Sequence, residues 1–269
     1  MTLPDYHLHT RLCRHAEGEP RDYADCAVRV GLREIGFSDH APMPRDNYDN
    51  WRMNQNQLDE YVEWVRRAQR DYPQLTIRLG LELDYLPGLE SWIAELAGRY
   101  PWDYLIGSVH YVRAGWDVDN PEKRAQWDRE EPREVWAAYF ERLTQAAETR
   151  MFDIIGHADL PKKFGHFLKQ GDEEIYRPFL RAARRSGVAI ELNTGGLRKE
   201  CAEIYPGKRF LALAWSERIP ITFGSDAHLP TEVGLGFSEA HRLARACGYT
   251  QFCRWAGRAA LPESLSPTE

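Results

Sequence analysis

Nowhere in the 269 residues does an apolar run approach the roughly 18 residues that a membrane-spanning helix needs. The N-terminus has no basic stretch followed by an apolar one, and His7 falls where the apolar core of a secretion signal would lie. Both absences point to a cytoplasmic chain. Cysteine is scarce: the five residues (Cys13, Cys26, Cys201, Cys247, Cys253) are odd in number and contain no Cys-x-x-Cys pair. That argues against a disulfide framework and a zinc finger. Cys13, between two histidines, reads as a small buried thiol or as a residue lining a site. Positive charge is also in deficit. With 35 basic against 41 acidic residues the net charge is −6, which argues against a protein that tracks a nucleic-acid backbone. Arg66, Arg67 and the 181–185 stretch lie on amphipathic patterns and read as solvated helix faces. No Gly/Ser or Pro linker, low-complexity segment or internal repeat divides the chain, so residues 1–269 read as a single domain. Leucine-rich and aromatic helix faces read as core rather than interface, and the tail 261–269 reads as frayed.

What is present is alternation. Apolar runs at 5–10, 34–40, 77–85, 104–111, 152–158, 189–194 and 220–228 predict strands. Windows at 22–31, 57–71, 90–100, 133–150, 173–186, 207–217 and 231–248 predict helices. Strands alternating with helices imply parallel pairing through right-handed crossovers. The fold class is therefore α/β, and seven such units suggest a closed or nearly closed barrel rather than an open sheet. One gap is unusual. Segment 112–132 holds Gly115, Pro121, Pro132, Trp116 and Trp127 among many charges, and predicts a long structureless loop of the kind that serves as a lid or binding loop. Its two tryptophans read either as cover for a small polar-aromatic ligand or as pins that hold the loop to the barrel.

Chemistry-bearing residues collect at the strand ends. His7 and His9 occupy i and i+2 of the first strand, so their rings share a face about 6–7 Å apart, and His15 follows in the loop. The pattern returns as Ser38-Asp39-His40, as Gly80-Leu81-Glu82-Leu83-Asp84, and as Gly107-Ser108-Val109-His110. It returns again as Gly156-His157-Ala158-Asp159, Glu191-Leu192-Asn193 and Gly224-Ser225-Asp226-Ala227-His228. In a parallel barrel all C-terminal strand ends meet at one face, where active sites are built. Seven of the nine histidines fall there, whereas His166 and His241 read as surface or packing residues. Seven imidazoles with Glu82 and Asp226 make nine candidate ligands. A catalytic zinc takes about three protein ligands, so the set suits three ions with a carboxylate bridging two. Imidazole with carboxylate suits zinc, iron or manganese. Such a centre inside an acidic protein attracts an anion, and two metals roughly 3.5–4 Å apart clamp the attacking and leaving oxygens of a phosphoryl transfer.

Together these motifs resemble the polymerase and histidinol phosphatase (PHP) superfamily, from Tyr6 to about Gly236. Weaker matches at 13–18, 159–164 and 195–199 resemble its histidinol-phosphate phosphatases rather than its polymerase-associated domains. The resemblance implies a distorted seven-stranded (β/α)7 barrel, TIM-barrel-like, with a trinuclear centre of zinc, iron or manganese ions. His7, His9, Glu82 and Asp226 would hold the first ion. Glu82 would bridge to a second on His110 and His157, and His15, His40 and His228 would hold the third. The implied reaction is hydrolysis of L-histidinol phosphate to L-histidinol and phosphate. On this reading Arg198 is a bidentate phosphate clamp. Asp159, two residues past His157 on the same strand face, either donates a proton to the leaving alkoxide or fixes an imidazole tautomer. Lys162 and Lys163 add positive potential or are merely solvated. The histidinol ammonium and imidazole would find carboxylates in Asp117 and Asp119 and an aromatic wall in Trp116 and Trp127. The rivals are a PHP-type phosphodiesterase or exonuclease, a phosphatase for another small phosphomonoester, and a metal-binding barrel without activity. Neither nucleic acid nor membrane is an expected partner.

Overall fold

In the computed structural model, which describes residues 3–169, 171 and 173–266, each of the seven apolar runs becomes a strand. They are β1 (Asp5–Leu8), β2 (Glu34–Phe37), β3 (Thr76–Asp84) and β4 (Tyr104–Ser108), followed by a small antiparallel ribbon, β5 (Tyr111–Arg113) with β6 (Trp116–Asp117). The series resumes with β7 (Ile154–Ile155), β8 (Ala189–Asn193) and β9 (Ile221–Gly224). The sheet order is β1-β2-β3-β4-β7-β8-β9, every pair parallel. The ring closes between β9 and β1 through one bridge, where His9 N donates to Ala227 O and Ala227 N to His7 O, each at 3.1 Å. A two-residue β7 and a one-bridge seam make this a distorted barrel, as the resemblance implies.

The crossovers are α1 (Pro20–Arg29), α2 (Leu58–Asp71), α3 (Glu90–Arg99), α4 (Pro132–Thr149), α5 (Arg177–Ser186), α6 (Lys208–Ser216) and, after β9, α7 (Phe237–Ala246). Their limits follow local chemistry. Proline stands in the first turn of α1, α4 and α5, where its missing N–H leaves no bond unmade. The sequence predicts the last helix over 231–248, but it starts only at Phe237, because Gly234 and Gly236 adopt φ of 68° and 82°. Among the described residues no helix is long and apolar enough to cross a membrane.

Two expectations need correction. The tail is not frayed: β10 (Gln251–Ala256) and β11 (Ala259–Ser264) form an antiparallel hairpin, and only 267–269 of the tail lie outside the described residues. Its turn, Gly257-Arg258, has φ of 53° and 67°, the backbone that a two-residue hairpin requires. This hairpin closes the N-terminal end of the barrel, where Cys253 and Trp255 pack with Tyr6, Tyr104, Ile106, Ile154 and Ala189. Inside, Gly36 and Gly80 make room for the Tyr104 side chain, since a Cβ at Gly36 would lie 2.4 Å from its hydroxyl and one at Gly80 2.4 Å from its ring. Nor is 112–132 structureless. It carries the β5–β6 ribbon and a 3-10 helix, Pro121–Arg129, and both of its tryptophans are buried. Trp116 and Trp127 meet edge to face at 5.7 Å, Trp127 Nε1 donates to Val118 O, and Trp127 stacks on His166 at 4.1 Å. Their rings pin the loop rather than cover a ligand.

Candidate metal centre

All nine predicted ligands converge at the C-terminal mouth of the barrel, with Glu82 of β3 at the middle. Its Oε2 lies 2.8 Å from His40 Nδ1, 3.3 Å from His7 Nε2 and 3.8 Å from His9 Nε2. Its Oε1 lies 3.0 Å from His157 Nε2 and 3.8 Å from His110 Nε2, and accepts from Ser108 Oγ at 2.6 Å. Asp226 sits 3.1 Å from His9 Nε2 and 3.8 Å from His7 Nε2. Its φ of 54° is left-handed, a conformation that Asp tolerates better than most residues and that favours functional sites. His15, His40 and His228 form a trio whose ring nitrogens lie within 4.8 Å of one another, and His40 also groups with Glu82 and His110.

A second ring of hydrogen bonds orients these imidazoles. His7 Nδ1 binds Glu191 Oε1 at 2.7 Å, and His110 Nδ1 binds Asp84 Oδ1 at 2.7 Å. His15 Nδ1 donates to Cys13 O at 2.9 Å and His228 Nδ1 to Asp226 O at 3.0 Å. Because carbonyls only accept, both of the latter rings present a bare Nε2 lone pair when neutral, and these two nitrogens face each other at 2.8 Å. Two opposed lone pairs repel, and a cation between them turns repulsion into ligation. Elsewhere in the cluster His7 Nε2 is buried without a hydrogen-bond partner, although buried polar atoms are nearly always satisfied. The donor set fits divalent cations.

Electrostatics agree. Burial alone would pull the imidazoles of His7 and His9 down, but the facing carboxylates hold both well above the usual histidine range. His110, against Asp84, is pushed up to about 9. His40 and His228 are driven well below that range by burial and by neighbouring imidazoles. Burial works against ionised Glu82 and Asp226, yet the imidazoles hold both well below the usual carboxylate range. In the absence of cations the cluster therefore keeps protons that ligation displaces. Cys13 lies near His9 and His228, but burial lifts its thiol to about 11, so it stays protonated and offers no soft thiolate.

Above the cluster opens a cavity of about 500 Å³, floored by Glu82, Asp226 and the rings of His15, His40, His110, His157 and His228. His7 and His9 lie fully buried beneath it. Trp51, Asp117, Asp119, Lys163 and Lys199 stand in the walls.

Arg198 and Asp159 are not among the residues lining this cavity. Arg198 Nη2 donates to the carbonyls of Ser225 and Asp226 at 2.9 Å each, and Nε pairs with Glu232 at 3.0 Å. Nη1 is buried without a hydrogen-bond partner, and the other contacts brace the loop carrying Asp226 and His228. Asp159 does not share a strand face with His157, because β7 ends at Ile155 and the chain turns through His157 at φ 25°. Its Oδ2 pairs with Lys162 at 2.9 Å and accepts from Gly207 N at 2.8 Å. Lys162 is itself buried, reaching Glu203 and Ile204 O. Both brace the 3-10 turn Leu160–Phe164 that follows β7. Lys163 does face the cavity, tied to Asp119 at 2.9 Å.

Sequence reading noted Asp39, Asp84 and Glu191 at strand ends without giving them a role, and missed Trp51; Asp39 Oδ1 lies 3.5 Å from His9 Nδ1. The role of Asp84 was findable, since it sits two residues past Glu82 on the same face of β3. Trp51 was not, because the irregular 41–56 segment carries no periodic signal.

Comparison with known proteins agrees with this geometry. The PHP domain family matches over residues 5–195. The chain is 42% identical over 247 residues to a probable histidinol-phosphatase of Deinococcus radiodurans, covering 91% of this chain and 94% of that one. It is 30% identical over 265 residues to a histidinol-phosphatase of Bacillus subtilis, covering 88% and 97%. A crystal structure of histidinol phosphate phosphatase from Lactococcus lactis with zinc, L-histidinol and phosphate superposes with a TM-score of 0.81, at 23% identity, over 96% and 98% of the two chains.

Proposed function

The chain belongs to the PHP domain family, and from that premise we propose that it is a cytoplasmic enzyme that hydrolyses L-histidinol phosphate to L-histidinol and inorganic phosphate. The observation that carries this reading is the position of Glu82. Five imidazoles surround its two oxygens at the floor of a cavity sized for one small molecule. Relatives at 42% and 30% identity bear the names probable histidinol-phosphatase and histidinol-phosphatase.

Three divalent ions, zinc, iron or manganese, suit the donor set. His7, His9, Glu82 and Asp226 would hold one, Glu82, His110 and His157 a second, and His15, His40 and His228 the third. When bound, such ions supply a water acidified to near neutrality and a clamp for the oxygens of the transferred phosphoryl group. The protein's own residues do the rest. Glu191, Asp84 and the carbonyls of Cys13 and Asp226 hold the imidazoles in the tautomers described above. Lys199 faces the cavity with no ion pair among the described residues, and is the cation free to meet the phosphate oxygens. Trp51, not Trp116 or Trp127, supplies the aromatic wall. Asp119 supplies a carboxylate for the ammonium of histidinol, with Lys163 as its resting partner.

The test is phosphate release from L-histidinol phosphate by protein loaded separately with each metal, against nucleotide release from single-stranded DNA. Phosphate release with at least one metal is expected. A preparation that releases nucleotides and leaves L-histidinol phosphate intact would favour the exonuclease reading. The small size of the cavity and the acidic balance disfavour that alternative.

Asp119 gives a narrower test. Charge-assisted contacts contribute roughly 1.5–3 kcal/mol, so Asp119→Asn should raise KM for L-histidinol phosphate about 10–100-fold. KM for a phenyl phosphate ester, which has no ammonium, should stay within about twofold. Equal shifts for both esters would remove Asp119 from substrate recognition.

A further inference from the structure

The segment between β2 and α2, residues 41–56, crosses the cavity mouth without regular structure until the short turn at its end. Its fixed point is Arg52, 3% exposed. Nε pairs with Asp49 at 2.7 Å, Nη2 with Asp84 at 2.8 Å, and Nη1 donates to Ala41 O at 3.1 Å. The guanidinium also lies 4.1 Å from the ring centre of Trp51, a cation–π contact. Both of its acidic partners reach further. Asp84 binds His110 Nδ1 through its other oxygen at 2.7 Å. Asp49 accepts from Tyr111 Oη at 2.7 Å, in the β5–β6 ribbon. Trp51 stands 4.8 Å from the ring of His40 and 5.0 Å from that of His110.

We propose that Arg52 is a positioning residue for the metal centre. Through Asp84 it fixes the ring of His110, and through its contact with Trp51 it fixes the cavity wall, so one buried guanidinium sets both. The guanidinium on the outer oxygen of Asp84 fixes how that carboxylate is turned, and its inner oxygen then holds His110 Nδ1 and leaves Nε2 aimed at Glu82. Arginine suits this better than lysine, because its planar fork serves two carboxylates and a carbonyl in fixed directions. The inference rests on the functional reading above in requiring that His110 ligate a metal.

Zinc affinity of the full chain, read by competition with a chelator, tests it in wild type, Arg52→Met, Arg52→Lys, Asp84→Asn and Tyr111→Phe. Removing the partner of a ligating histidine typically costs 10–100-fold in metal affinity. Arg52→Met should weaken one zinc equivalent by about that factor and leave the others unchanged, with Arg52→Lys intermediate. A general loosening of the fold would instead weaken all equivalents together. Tyr111→Phe, which removes a hydrogen bond from Asp49 without touching Asp84, should stay within about twofold of wild type. A folded Arg52→Met that holds every equivalent as tightly as wild type overturns the proposal. If Arg52→Met fails to fold, Asp84→Asn decides, since it keeps the volume and the cation, and wild-type affinity there overturns the proposal equally. A wild-type chain that binds no zinc, iron or manganese overturns the functional reading itself, and the proposal with it.

Discussion

Glu82→Gln should reduce kcat/KM for L-histidinol phosphate by on the order of 10³-fold or more, the several kcal/mol that bound cations give a phosphoryl-transfer transition state. The same variant should lose at least two metal equivalents per chain. The substitution keeps the shape of the side chain and removes only its charge and one acceptor. Both oxygens matter, because Oε2 faces His7, His9 and His40 while Oε1 faces His110 and His157. An amide would turn an NH₂ toward one of these groups, placing a donor where a cation should sit. Burial opposes the ionised form of Glu82, and the surrounding imidazoles overcome that opposition and hold the carboxyl well below its usual range. The carboxylate is therefore ionised across the neutral range, and the defect should not vary between pH 6 and 8. Its stabilising effect, by the same sign, is present above the ordinary carboxylate pKa and disappears only as the pH falls through the depressed one. Without metal, the variant also leaves buried imidazolium groups without their counter-ion, a loss of roughly 3–5 kcal/mol for such a broken pair. Phosphate release and metal analysis on the same preparation check both effects. Turnover within tenfold of wild type would refute the bridging role.

Much of this centre was legible because metal ligation needs particular residue types at particular places. His-x-His on one strand, and His or Glu at the ends of successive parallel strands, have one geometric consequence in a barrel, and the nine side chains do meet. The number of strands was legible for the same reason that their ends were not. An apolar run of four or five residues marks a buried strand, but β2 stops at Phe37 and β9 at Gly224 once polar side chains take over the backbone's hydrogen bonds. Asp39 Oδ2, for example, receives Thr10 N. The contacts of Arg198 and Asp159 were illegible for a different reason. Each has the right chemistry and the right neighbours in sequence, yet each is occupied by backbone groups from elsewhere, the carbonyls of Ser225 and Asp226 and the amide of Gly207. Occupancy by distant backbone leaves no trace in composition or spacing. Nor does the irregular strap that carries Trp51 and Arg52, whose conformation is set by tertiary ion pairs rather than by periodicity.

Trp255→Ala should destabilise the protein by about 3–5 kcal/mol, the usual range for emptying a large aromatic site in a well-packed core. Deletion of 251–266 should leave no folded protein at all. The reason lies in the barrel's other end. Tyr6, Tyr104, Ile106, Ile154 and Ala189 point into the barrel from four strands, and without the β10–β11 hairpin they would face water. Phe252, Cys253, Trp255 and Leu265 are all buried. At roughly 1.5–3 kcal/mol for each fully buried apolar side chain, their combined loss rivals the 5–15 kcal/mol of a typical domain's whole stability. The hairpin is also tied by polar contacts. Trp255 N donates to Tyr6 Oη at 3.2 Å, Tyr6 Oη to Glu34 at 2.6 Å, and Arg254 pairs with the other oxygen of Glu34 at 2.7 Å. Arg258 reaches Asp153, just before β7. Tyr6 immediately precedes His7 on β1, where the register shifts against β2, so the hairpin's anchor lies one residue from the buried end of the metal cluster. Urea unfolding of the metal-free chain measures the loss directly. Zinc should restore part of it, since a ligand that binds only the folded state stabilises by mass action. A Trp255→Ala unfolding free energy within about 1 kcal/mol of wild type would show that the barrel floor closes without the hairpin's tryptophan.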